Sequence, residues 1–238
     1  MTTYLITGAN RGLGFEHTKQ ALAADESVIA TCREPEKATE LLALSERYPK
    51  LRIEQLDLSE HDSIAAIAKR LDGVAIDILF NIAGLFGGGW SNQADRYKQS
   101  LTGMDYALWH EIMQANVYGH FELIAALLAN VEASTRKTII MMSSDLGSIA
   151  NNQLGMAHAY RSSKAALNML TKGLSIELAP NKITVISLAP GWVKTDLGGD
   201  DAPWEVDDSV RHQRNVIANL IPSATGKFID LLGKSVPW

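Results

Sequence analysis

The stretch Thr7–Gly14, TGANRGLG, decides the fold. It follows a short apolar, β-branched run, TYLIT (Thr3–Thr7), which reads as a strand, and it leads into Leu13–Ala24, whose spacing is helical. A glycine-rich turn between strand and helix lets the backbone approach a pyrophosphate at the helix N-terminus, where free N–H groups and the helix dipole favour negative charge. Gly8, Gly12 and Gly14 are the positions that matter, with Asn10, Arg11 and Leu13 between them. Their spacing, G-x-x-x-G-x-G, departs from the G-x-G-x-x-G dinucleotide pattern, so a ligand-free turn also explains the motif taken alone. Its position at the first strand-to-helix crossover favours a nucleotide.

Outward from this turn the same alternation repeats. Further strand-like runs are SVIATC (27–32), LRIEQL (51–56), IDILFN (76–81), TIIMMS (138–143) and ITVISL (183–188), with a weaker last one in GKFIDLL (226–232). Helical spacing occupies Pro35–Tyr48, Ser59–Leu71, Asp105–Asn130 and Ala159–Leu178, and Ser59 followed by Asp62 offers a capping pattern. The strands are too apolar to face water on either side. The chain is therefore expected to be an α/β protein: a single domain over 1–238, a doubly wound, Rossmann-like parallel sheet with helices on both faces. Its ligand belongs beyond the carboxyl ends of the strands. Two segments stay irregular, Leu85–Gly103 and Gly198–Pro203, the second leading into a short helix.

Bulk properties narrow the function. The 238 residues are 46% hydrophobic and 21% charged, ordinary for a soluble globular protein, and no signal peptide or long apolar run is apparent, so a cytoplasmic protein is expected. A net charge of −5 without a basic block leaves no footprint for nucleic acid or an anionic membrane. The lone Cys32 excludes an internal disulfide, and the histidines His17, His61, His110, His120, His158 and His212 show no metal-ligand spacing, so no metal is expected. Partners reduce to small molecules or copies of the chain itself, since a helix such as Asp105–Asn130 is long enough to pair in a homo-oligomer.

At the end of the second strand an acid would bind the free ribose 2′-hydroxyl of NAD, whereas arginine accommodates a 2′-phosphate. Arg33 stands there, and Arg11 approaches the same place from the glycine turn, so NADP(H) is the expected cofactor. Two solvated surface arginines are the alternative, and Glu34 complicates the local charge.

The remaining polar candidates converge on the same sheet edge. NIAG (Asn81–Gly84) follows the fourth strand, and SSDLGS (Ser143–Ser148) follows the fifth. Asn116 sits among apolar neighbours, so its buried amide needs hydrogen-bond partners. Tyr160 and Lys164 lie at i and i+4, one helical turn apart on one face. Reducing a carbonyl by hydride requires a proton for the oxygen, and a tyrosine of ordinary pKa about 10 becomes a useful acid–base group when positive charge lowers that value. Lys164 and an oxidised nicotinamide both supply such charge. Ser144 is placed to hold the carbonyl oxygen, and Asn116 to anchor a water that passes the proton onward. Alternation along a strand sends Ser143 and Ser144 to opposite sides.

These motifs resemble the short-chain dehydrogenase/reductase superfamily, in particular its carbonyl-reductase branch with C-factor-like and sniffer-like members. The resemblance runs over almost the whole chain: TGANRGLG, NIAG for N-N-A-G, Asn116, SSDLGS, YRSSK for Y-x-x-x-K, PGWVKTDLGG (Pro190–Gly199) and the ending GKFIDLLGKSVPW. It implies a catalytic tetrad of Asn116, Ser144, Tyr160 and Lys164, with Lys164 also on the nicotinamide ribose. It implies adenine contacts from Asp57 and Leu58, a cofactor cleft lined by Asn81, Ala83 and Gly84, and nicotinamide or phosphate contacts from Pro190, Gly191, Val193 and Thr195. The expected activity is NADPH-dependent reduction of an aldehyde, ketone or quinone. A nucleotide-sensing protein with little turnover and an NAD-linked alcohol dehydrogenase are the rivals. A substrate lid is expected around 192–222, with Trp192 and Trp204 as candidate pocket walls and core packing as the equal alternative for Trp192.

Overall fold

Every central strand buries both its faces, so each has to be covered twice. In the computed structural model, which describes residues 2–238, the strands are β1 (Thr3–Thr7), β2 (Ser27–Cys32), β3 (Leu51–Gln55), β4 (Ile78–Asn81), β5 (Thr138–Met142), β6 (Thr184–Ala189) and β7 (Phe228–Asp230). They form one parallel sheet in the order β3-β2-β1-β4-β5-β6-β7. The strand order reverses between β1 and β4, the switch point where a doubly wound sheet opens a crevice at its carboxyl edge. The glycine turn and the NIAG segment leave the sheet at these two strands.

The α-helices are α1 (Gly12–Ala23), α2 (Thr39–Arg47), α3 (His61–Arg70), α4 (Gln93–Tyr97), α5 (Tyr106–Met113), α6 (Gly119–Ala126), α7 (Leu128–Glu132), α8 (His158–Glu177) and α9 (Val206–Ala218). Strand alternation sorts their apolar residues into two layers. Leu5, Ile29, Leu79, Ile139 and Val185, aligned row by row across the sheet, pack with Ile64 of α3, Leu123 of α6 and Leu167 and Leu174 of α8. Ile6, Ala30, Phe80, Ile140 and Ile186 point the other way, onto Ala21 and Leu22 of α1, Leu41 of α2 and Ile217 of α9. Each fully buried aliphatic side chain contributes about 1.5–3 kcal/mol, so this double layer is the main source of stability and holds the carboxyl edge rigid.

Three local expectations change. The helix expected over Asp105–Asn130 is broken: α5 passes into a π-helical turn, Gln114–Tyr118, before α6, and Leu127 separates α6 from α7 with a non-helical backbone. The wide turn carries Asn116, and such turns recur at functional sites because they re-aim one side chain within a helix. Ser59 does not cap α3. Its hydroxyl bonds Asp57 Oδ1, and Glu60 at the cap makes no side-chain bond. The irregular segment 85–103 contains α4, capped by the Asn92 side chain. No helix among the described residues is long and apolar enough to cross a membrane.

Candidate active site

The glycine turn is built by close approach. Gly8 has φ +65°, and a side chain there would press on Ala83 at 3.1 Å, while one on Gly14 would collide with the Gly8 carbonyl. The second contact is what lets α1 start directly beneath the end of β1. Thr7 Oγ1 accepts from the N–H groups of Ile82 and Ala83 at 2.9 and 3.0 Å, tying the β1 end to the β4 exit. Arg11 occupies the α1 cap with an extended backbone and no side-chain cap bond, and no acid lies in the first turn. The first N–H groups of α1 thus lack a side-chain acceptor, and Asn10, Arg11 and Gly12 are exposed around them, with Leu13 half-buried. This is the chemistry of a pyrophosphate cradle.

At the far end of the crevice Arg33 is exposed just past β2. Glu34 does not oppose it, being paired with Lys37. Arg11 is engaged elsewhere: its guanidinium pairs with Asp196 at 2.8 Å, both side chains largely exposed. Such a pair contributes at most about 1 kcal/mol and exchanges readily for a phosphate. Asp57 spends its carboxylate on the backbone and hydroxyl of Ser59, and Leu58 packs into the core beside Ile64. Thr195 lies against Gly12, so the segment after β6 covers the glycine turn.

The β4 exit is fixed by four buried polar side chains, Asn81, Asn116, His120 and Ser163. Asn116 grips Leu85 both ways, its Oδ1 accepting from the Leu85 N–H at 2.7 Å and its Nδ2 donating to the Leu85 carbonyl at 2.9 Å. The same Nδ2 donates to Ser163 Oγ of α8 at 3.0 Å. His120 on α6 donates from Nε2 to the Ala83 carbonyl at 2.8 Å, and its Nδ1 lies against the Asn81 side-chain amide at 3.1 Å. Burial, with the nearby Lys164 charge, holds its pKa at about 4, and the ring is neutral at ordinary pH. Gly84 faces the centre of the site: a side chain there would sit 3.4 Å from Lys164 Nζ and 3.6 Å from Asn116 Oδ1. Glycine leaves that space for a ligand.

Tyr160 and Lys164 are both buried on the first turns of α8. Lys164 Nζ donates to the Met142 carbonyl at 2.8 Å and stands 5.6 Å from the Tyr160 ring centroid. It has no carboxylate partner, and burial lowers its pKa to about 8. Tyr160 departs from the expectation of a lowered pKa. Burial pushes its phenol up to about 12, with the approach of the Ser144 hydroxyl as the opposing influence. Desolvation of the anion is the larger influence. Ser144 is half-buried and caps a short 3₁₀ turn, while Ser143 points into the core and donates to Asn168 Oδ1 at 2.7 Å.

Around the phenol, Phe86, Trp90, Leu146, Ala157 and Leu197 form an apolar cluster. Trp192 is 43% exposed, which excludes a core role, and its indole N–H donates to the Gly198 carbonyl at 2.8 Å. Trp204 packs instead against Gly191 and His212. Val193 forms a bridge with Trp204, and the Pro190 carbonyl accepts from Ser209 of α9 at 2.8 Å, so Pro190–Thr195 is anchored from outside the sheet.

The structure therefore brings Asn116, Ser144, Tyr160, Lys164 and Gly84 to one point, and sets the glycine turn, Arg33 and Asp57 along the same crevice. His120, Ser163, Phe86 and Gln99 join them without having been singled out. For His120 a signal existed, since it lies four residues after Asn116 and so shares its helical face. Phe86 and Gln99 fall in the irregular segment, where periodicity carries no information.

The short chain dehydrogenase family model matches residues 2–206. The C-signal protein of Myxococcus xanthus is 37% identical over 163 residues, covering 68% of this chain and 93% of that protein. Carbonyl reductase Sniffer of D. melanogaster superposes with a TM-score of 0.91 at 33% identity over all of both chains. The NADPH-bound carbonyl reductase from chicken fatty liver gives 0.90 at 33% identity, over 100% of this chain and 99% of that one. With a family model matched from the first strand through the tyrosine helix and full-length structural agreement beyond it, the chain belongs to the short-chain dehydrogenase family.

Proposed function

We propose that this protein reduces a carbonyl compound, an aldehyde, ketone or quinone, to an alcohol with NADPH. The observation that carries this reading is the placement of a buried Tyr160 and Lys164 pair beside Gly84, directly across the β4 exit from an uncapped glycine-turn helix. Bound NADPH supplies the hydride. The N-terminus of α1 and the backbone of Gly8–Gly14 bind its pyrophosphate, Arg33 its 2′-phosphate, and Asp57 and Leu58 flank its adenine. Asn81, Ala83, Gly84 and Pro190–Thr195 line the nicotinamide half. The full-length likeness to a carbonyl reductase that carries NADPH supports the cofactor choice.

Tyr160 gives its proton to the developing alkoxide. A phenol pushed up to about 12 by burial stays protonated at neutral pH, the state that reduction requires. Ser144, half-buried at the end of β5, holds the substrate oxygen. Lys164 stabilises the tyrosinate left behind and directs its free N–H bonds past Gly84 toward the ribose. Asn116 acts through the backbone of Leu85: it fixes the β4 exit against α8 and so sets the distance between Gly84 and Lys164. Phe86, Trp90, Leu146 and Leu197 exclude water from the phenol and receive an apolar substrate. Of residues 192–222, the segment before α9 acts as the lid, with Trp192 exposed on it; α9 itself packs on the sheet through Ile217.

NADPH oxidation, followed by the loss of the reduced nicotinamide's absorbance, with a panel of aldehydes, ketones and quinones tests the reading. Turnover on at least one class supports it. Tight NADPH binding without oxidation across the panel would favour a nucleotide-sensing role instead.

A further inference from the structure

Helix α8 begins without a cap of its own. The three residues before it, Gly155, Met156 and Ala157, all adopt left-handed backbone, with φ of +61°, +55° and +48°. Two of them carry side chains that disfavour this region, at a cost per residue that only surrounding contacts can offset. Arg161 supplies some of these, its Nε donating to the Gly155 and Met156 carbonyls at 3.0 and 3.1 Å. With alanine at the cap position, however, the helix has no capping side chain of its own.

Gln99 takes that place from a distant part of the chain. Its backbone carbonyl accepts from the His158 N–H at 3.0 Å, and its Oε1 accepts from the Tyr160 N–H at 2.9 Å. The second bond is the one an N-cap side chain makes to the third helical residue. The Gln99 Nε2 donates to the Phe86 carbonyl at 2.6 Å, and Phe86 lies edge-on to the Tyr160 ring with centroids 5.1 Å apart. Gln99 is wholly buried, and its amide is therefore bonded at both ends. One side chain thus fixes both the backbone of Tyr160 and the wall against which its phenol rests.

We propose that Gln99 is a positioning residue for the proton donor: it caps α8 from the substrate-side segment and couples the order of that segment to the placement of the Tyr160 hydroxyl. The proposal rests on Tyr160 being the proton donor. It assigns the irregular segment a part in the chemistry as well as in forming the pocket, because movement of Phe86 and movement of the tyrosine pass through the same amide.

Two variants test it. Gln99→Met keeps the volume and removes both bonds; kcat for carbonyl reduction should fall about ten- to a hundredfold, the range for a small misplacement of a reacting group, with the NADPH Kd within twofold of the parent. Gln99→Glu has the donor and acceptor pattern of the amide only while its carboxyl is protonated; ionised, it turns a second acceptor toward the Phe86 carbonyl. Its kcat relative to the parent at the same pH should rise as pH falls from 8 to 6. The ionisable residues on the elements bonded to Gln99 are His158, Tyr160, Arg161, Lys164, Lys172 and Glu177 of α8 and Asp95, Arg96, Tyr97 and Lys98 of its own segment. They are common to parent and variant and cancel in that ratio. A kcat unchanged in Gln99→Met, a loss confined to NADPH binding, or a Gln99→Glu ratio flat with pH overturns the proposal. Should Gln99→Met fail to fold, the Gln99→Glu ratio decides alone. Tyr160→Phe, run alongside, separates the two claims: normal turnover there defeats the proton-donor reading, whereas an inactive Tyr160→Phe with normal Gln99 variants defeats the Gln99 proposal alone.

Discussion

Lys164 Nζ stands 5.6 Å from the centre of the Tyr160 ring, yet spends a hydrogen bond on the Met142 carbonyl and touches no carboxylate. It is a buried cation held for what it does to its surroundings, and the fold bears the cost of keeping it there. Burial lowers its pKa to about 8, against an unfolded value near 10.4. A group depressed in this way adds its full stability above the unfolded pKa and loses it as pH falls through the folded one, so the cost is complete below about pH 8. Lys164→Met should therefore gain stability relative to the parent near pH 7, and the difference should shrink as pH rises from about 8 to 10. Paired urea melts at pH 7 and pH 9.5 measure it, and the same variant should lose carbonyl reduction.

His17 and His120 set the acid limit of the fold. Burial holds His17, bonded to Gln213 on α9, at about 3, and His120 at about 4. Both bind a proton on unfolding that they refuse when folded. Their contribution is complete above about pH 6.5 and declines as pH falls toward these values, each by up to about 1.4 kcal/mol per pH unit. Replacing His120 by Asn should flatten the decline in unfolding free energy between pH 6.5 and 4.5 by up to that slope. A slope equal to the parent's would show that His120 is not held neutral.

Arg33 is expected to read the 2′-phosphate: Glu34, paired with Lys37, does not oppose it, and the exposed Arg11 exchanges Asp196 for the phosphate beside it. Arg33→Asp should weaken NADPH binding by about 1.5–3 kcal/mol, the size of a charged hydrogen bond, or roughly ten- to a hundredfold. NADH binding should change little or improve. Fluorescence titration with both nucleotides checks this, and an unchanged NADPH to NADH ratio would remove Arg33 from the pocket.

Much of this was legible in the sequence because the signals are local and repeated. Each strand is an apolar run bounded by turn residues, and TGANRGLG sits at the first crossover, so the sheet and its ligand edge follow from TYLIT, IDILFN and TIIMMS without long-range information. Tyr160 and Lys164 were visible as an i, i+4 pair. What stayed hidden depends on contacts between remote segments. The break at Gln114–Tyr118 has no glycine or proline to announce it, and an unbroken apolar pattern runs through it. Gln99 lies 61 residues from the amide it caps. The raised pKa of Tyr160 comes from burial beneath Phe86, which no spacing encodes.

Whether Tyr160 delivers the proton is decided by steady-state NADPH oxidation by Tyr160→Phe with an accepted carbonyl substrate. Phenylalanine keeps the ring against Phe86 and removes only the hydroxyl. The kcat should fall about 10²–10⁴-fold, the range for loss of a general acid, with the NADPH Kd within twofold of the parent. Turnover within a few-fold of the parent would contradict Tyr160 as the proton donor.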